Sequence, residues 1–143
     1  MANINNLTVL VAGTVPSVIK YIANEFKEAG CRTERVMKSE DILEGIDEFN
    51  PDIVVIDIQM EEISTYDVIE KVKAIPKKKV YLALYSFFID KGMAKESILH
   101  RLFASDTTHT FKNVDRPIKY LGIFNEDTFA HKISSYLASL DEE

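Results

Sequence analysis

Cysteine is nearly absent: Cys31 stands alone, so no internal disulfide can form, and a reducing compartment, the cytoplasm, is the expected location. No apolar run approaches the length needed to cross a bilayer. The opening MANINNLTV lacks the basic and apolar regions of a signal peptide, so no targeting segment is expected. Positive charge is in deficit, with 17 Lys and Arg against 23 Asp and Glu and a net charge of −6. That disfavours direct nucleic-acid binding, which needs a clustered basic surface. The short run Lys77–Lys79 reads instead as a solvated helix end, where cations suit the dipole. Glycine (5) and proline (4) are too few for a linker-rich or low-complexity chain. Catalytic signatures are missing as well. There is no G-x-S-x-G, no G-x-x-x-x-G-K-[ST] and no G-x-G-x-x-G, and a D-x-D nucleophile pair would need an acid at Gln59. His100, His109 and His131 fall in separate elements without metal-ligand spacing. An enzyme is therefore not expected.

What the chain does carry is a globular composition, 46% hydrophobic over 143 residues, enough for one domain with one core. Its centre is Pro51–Val72, PDIVVIDIQMEEISTYDVIEKV. The β-branched run Ile53–Ile56 shows no alternation, as in a strand buried on both faces. Asp57 comes where the run ends, at the carboxyl edge of a parallel strand, where open α/β sheets bind ligands. Ser64 or Thr65 then caps a helix with Val68, Ile69 and Val72 on one face.

The remaining segments repeat that strand–loop–helix unit. Leu7–Ala12 is a first strand, followed by a turn and a helix capped by Ser17, with Val18, Ile22 and Phe26 inward and Gly30 at its stop. Arg32–Met37 is a more polar strand suited to a sheet edge. Ser39 caps the next helix, with Glu40 and Asp41 in its first turn, and Pro51 ends it. Lys79–Leu84 is a fourth strand, Ser86–Asp90 a loop, and Met93–Phe103 a helix. Residues 105–117 are polar and aperiodic. Ile118–Phe124 is a last strand, and Asn125 caps a final helix with Phe129, Ile133, Leu137 and Leu140 inward. Five strands alternating with five helices over short connections require right-handed crossovers and a parallel sheet covered on both faces.

Asp57-Ile58-Gln59-Met60, then Ser64-Thr65-Tyr66 and a helix, resembles the phospho-acceptor segment of response-regulator receiver domains, where the run is D-x-x-M-P, a few residues, D/S-G and a helix. The order of elements extends the likeness over nearly the whole chain. The resemblance implies a flavodoxin-like (CheY-like) doubly wound five-stranded sheet of order 2-1-3-4-5. It further implies a single domain over residues 1–143, with an insertion near 105–117. It makes Asp57 the phospho-acceptor candidate, Ser86 and Tyr120 the switch candidates, and Asp57 with Gln59 the weak candidates for a metal.

The chain departs from the family at places that matter chemically. Receiver domains hold Mg²⁺ with an acidic pair after the first strand, and Ala12 and Gly13 stand there. The lysine expected shortly after Tyr120 is replaced within Leu121-Gly122-Ile123-Phe124. Phosphoryl transfer depends on neutralising the equatorial oxygens, and each missing charge is worth on the order of a few kcal/mol in a partly dry site. The expected function is thus a receiver-like signalling module with a degenerate phosphorylation site, working through phosphorylation-independent protein contact. No cofactor is expected. The alternative is a working phospho-receiver at Asp57 that takes Mg²⁺. A flavodoxin-like cofactor-binding enzyme is a third reading, which no motif supports. Asp57 itself reads two ways, as an acceptor or as a strand-ending residue that caps its loop. The expected partner is a histidine kinase or a downstream signalling protein, with no nucleic acid and no membrane. Phe87 and Phe88, in a loop beside the fourth and fifth units, are the candidate partner surface, and a homodimer through those units fits the same face.

Overall fold

In the computed structural model, residues 6–38, 40–57, 67, 68, 70, 71, 74, 75, 80–86 and 118–141 are described. Five strands carry the fold: β1 (Thr8–Ala12), β2 (Arg32–Val36), β3 (Ile53–Asp57), β4 (Tyr81–Ser86) and β5 (Ile118–Ile123). They pair in the order β2-β1-β3-β4-β5, all parallel. This is the expected 2-1-3-4-5 sheet, with the polar β2 at an edge.

Two clusters make the core, one on each face of the sheet. Helices α1 (Pro16–Glu28) and α3 (Phe129–Asp141) cover one face, where Ile22, Phe26, Phe129 and Ile133 pack on Val9, Val11, Val55 and Ala83. Helix α2 (Glu40–Phe49) and Val68 cover the other, on Leu10, Val54 and Leu82. Every residue of β3 is buried, which is why its sequence does not alternate. Asp52 anchors the entry to β3, since its carboxylate accepts the Thr8 backbone N–H at 2.9 Å and so ties β1 to β3 below their ladder.

Helix boundaries depart from expectation where backbone geometry overrides the side chain. Pro16, not Ser17, opens α1; Val15 is the N-cap and no side chain caps the helix. The fixed φ of proline suits that first position and its missing N–H costs nothing there. The stop at Gly30 is as read. Gly30 takes φ +104°, its N–H donates to Lys27 at 3.0 Å, and the Cys31 N–H donates to Phe26 at 3.1 Å, a Schellman closure. Asn50, at φ 50°, turns the chain out of α2 one residue before Pro51. β4 lies two residues beyond the expected Lys79–Leu84 and includes Ser86, expected in a loop. The ladder continues that far because the Ser86 carbonyl accepts the Phe124 N–H at 2.7 Å. Asn125 does act at the start of the last helical segment, its side-chain oxygen accepting the Asp127 N–H at 2.8 Å. The caps at Ser39, Ser64 and Thr65, the lysines 77–79, the helix at 93–103 and the insertion at 105–117 lie outside the described residues.

Candidate functional site

The β3 ladder sets the site. Ile56 pairs with Ala12 on β1, and Asp57 pairs with Tyr85 on β4. Alternation puts Asp57 on the face of Ile53 and Val55, under α1 and α3, and Tyr85 belongs to the same face. Asp57 is only 4% exposed. The carboxylate therefore ends its strand at the sheet edge where Gly13 follows β1, on the same face as the Tyr85 ring.

Tyr85 fills the space against Gly13. Its ring meets Phe129 edge-on at 6.1 Å between centroids, and its hydroxyl donates to the Ala12 carbonyl at 3.4 Å. Burial, and after it the negative charge of Asp57, push the Tyr85 phenol far above its ordinary range. The group is thus a neutral phenol. Gly13 lies directly against it: a Cβ at position 13 would run into the Tyr85 hydroxyl and would come within 2.7 Å of Ile19 Cγ2. The aromatic contacts continue outward. Phe129 meets Phe124 at 5.3 Å, Phe124 meets Tyr21 edge-on at 5.3 Å, and the Tyr21 hydroxyl donates to the Glu126 carbonyl at 3.0 Å.

The far edge of the site is β5. Its ladder shifts register, with Leu84 opposite Tyr120 and Tyr85 opposite Gly122, so Leu121 is an extra residue and turns into the core. Gly122, at φ +105°, closes the bulge, and Lys132 of α3 lays its ammonium Nζ 2.6 Å from where a Cβ on Gly122 would stand. Gly122 is level with Asp57 two strands away, about 10 Å at ordinary strand spacing.

The sequence candidates divide accordingly. Asp57 stands at the carboxyl edge as expected. Ser86 is buried at the end of β4, but its neighbour Tyr85 is the residue in register with Asp57. Tyr120 sits in β5 opposite Leu84. Gln59, Phe87 and Phe88 lie outside the described residues. Tyr85 and Lys132 were not among the candidates. Tyr85 reads in the sequence as core, and only its alternation with Tyr81 and Ala83, on the Asp57 face, marks it.

Among the described residues, those beside Asp57 do not fit a divalent cation of the kind the receiver resemblance implies. Mg²⁺ needs several oxygen ligands in near-octahedral array. Ala12 and Gly13 have no side-chain oxygen, and the position-13 side of Asp57 is taken by Ile19 and a neutral phenol. Among the described residues, no three His, Cys, Asp or Glu side chains gather where they could hold a metal.

Comparison with known proteins agrees with this architecture. A receiver domain from Methanoculleus marisnigri JR1 is 17% identical, with a TM-score of 0.58 over 92% of this chain and 93% of that one. The receiver domain (CheY-like) from Methylobacillus flagellatus is 15% identical, with a TM-score of 0.62 over 93% and 97%. The response regulator TrrA of Thermotoga maritima, solved in complex with Mg²⁺–BeF, is 20% identical, with a TM-score of 0.60 over 90% and 97%. At these identities the likeness is one of fold. No curated protein matches the sequence. The response regulator receiver domain family model matches residues 9–104, two thirds of the chain, and the chain belongs to that family.

Proposed function

We propose that this receiver domain is a signalling module with a degenerate phosphorylation site, which works by protein–protein contact without phosphorylation of Asp57. The observation that carries this reading is the environment of Asp57. The carboxylate is 4% exposed, and Ala12, Gly13 and Tyr85 beside it supply neither a cation nor a side-chain metal ligand of negative charge. An acyl phosphate would add a dianion there that these three residues do not neutralise. The partner is a histidine kinase or a downstream signalling protein, met in the cytoplasm through the fourth and fifth units. The outward side of α3 supports such a surface. Ser134, Ser135, Ala138 and Ser139 are exposed and uncharged there, so covering them desolvates no ion. Among the described residues no helix is long and apolar enough to cross a membrane.

One observation favours the alternative of a working acceptor at Asp57. Lys132 places a cation at the carboxyl edge of β5, where the sequence has no lysine of its own. The deciding experiment incubates the protein with Mg²⁺ and a small phosphodonor and weighs it intact, with Asp57→Asn as control. The degenerate site predicts no phosphate-sized gain. A gain that Asp57→Asn abolishes would establish the acceptor and overturn the proposal.

A further inference from the structure

The misfit between this site and a divalent cation has a cause beyond absent carboxylates, because the space itself is occupied. The Tyr85 hydroxyl reaches the Ala12 carbonyl only at 3.4 Å, too long to be its main anchor. Ring packing holds it instead. Phe129 stands edge-on to the ring, and the residue is 1% exposed. Gly13 completes the cradle, for a Cβ there would collide with the hydroxyl and crowd Ile19. No positive φ demands a glycine at position 13, so space is the constraint there.

We propose that Tyr85 and Gly13 are a matched pair that plugs the pocket beside Asp57. Tyr85 is the built-in occupant, Gly13 is the residue that admits it, and together they close the pocket to divalent cations. This rests on the reading of the phosphorylation site as degenerate and names the residues that keep it so. The plug is steric, so it is removable. A smaller side chain at position 85 frees the volume, and a carboxylate at position 13 then stands beside Asp57. Gly13→Asp alone has nowhere to put its carboxylate while Tyr85 remains.

Mn²⁺ titration, read by the electron paramagnetic resonance signal of free Mn²⁺, tests this on four whole-chain proteins: the natural protein, Gly13→Asp, Tyr85→Val and the Gly13→Asp/Tyr85→Val double variant. The double variant is expected to bind Mn²⁺ on the order of tenfold or more tighter than the natural protein, through its added carboxylate. Asp57→Asn should remove that gain. A natural protein that binds Mn²⁺ through Asp57 as tightly as the double variant overturns the plug, as does a folded double variant with no gain.

A second measurement keeps the test open if the double variant does not fold. Gly13→Ala is compared by urea unfolding in the natural background and in Tyr85→Phe, which deletes only the hydroxyl. The midpoint loss is expected to be smaller in Tyr85→Phe, with the remainder due to Ile19. Equal losses overturn the pair while leaving the degenerate site, which rests on missing ligands. Mg²⁺-dependent acyl phosphate on natural Asp57 would instead overturn the degenerate reading itself.

Discussion

Tyr85 makes the fold sensitive to alkali. Its phenol ordinarily ionises near 10.0, and burial first, then the Asp57 charge, raises it in the folded chain. Above that ordinary value the unfolded chain loses the proton and the folded chain keeps it, so unfolding is favoured as pH rises. The stabilisation is whole below about pH 10 and falls away above it. Urea midpoints measured from pH 8 upward should therefore fall more steeply for the natural protein than for Tyr85→Phe; parallel curves would show that Tyr85 ionises freely. Gly122 is the other residue on which local geometry depends. Its φ of +105° is closed to side chains without strain, and a Cβ would displace the Lys132 ammonium. Gly122→Ala should cost about 1–3 kcal/mol, read by the same denaturant titration. Neither Tyr85 nor Lys132 is recognisable from the sequence as part of the site. A tyrosine in an apolar strand looks like core, and a lysine on a later helix comes to β5 only through tertiary packing. The place of Asp57 at the end of β3 is legible because it directly ends a run of β-branched residues.

Elements were legible where their reason is local and shifted where it is not. The unbroken apolar run of β3, the 3.6-residue spacing of α3 and the polar β2 were readable as they stand, since each burial pattern is written in its own residues. The end of β4 was not, because its last pairing is made by the Phe124 N–H from across the sheet. The start of α1 moved to Pro16 because ring geometry outweighed the capping preference of Ser17. α3 bears on the site through Phe129, which touches both Tyr85 and Phe124 and has no exposure. Phe129→Ala should cost about 3–5 kcal/mol as a core truncation. It should also release the Tyr85 ring, seen as a weaker near-ultraviolet circular dichroism signal of tyrosine. A loss below about 1 kcal/mol would mean that α3 closes over the gap and that the ring is held by β4 alone.

For the whole molecule, the sheet order brings the ends of β1, β3, β4 and β5 to one edge, where Ala12 and Gly13 carry no charge. On the proposed degenerate reading, a signalling role rests on a surface already formed in the resting fold. Phe87 and Phe88 directly follow Ser86, the last residue of β4. The exposed Ser134, Ser135, Ala138 and Ser139 of α3 belong to the fifth unit of the fold. If that region is the contact surface, Phe87→Ala or Phe88→Ala should weaken self-association in sedimentation velocity, or association with the cognate kinase or downstream protein, by about 1–2 kcal/mol or more for a buried aromatic anchor. Far-ultraviolet circular dichroism and the urea midpoint should stay near those of the natural protein. Loss of stability with unchanged association would instead make the two rings part of the core and move the contact surface elsewhere on the domain. If Asp57 does not gate that surface, phosphodonor and Mg²⁺ should leave the measured association constant unchanged.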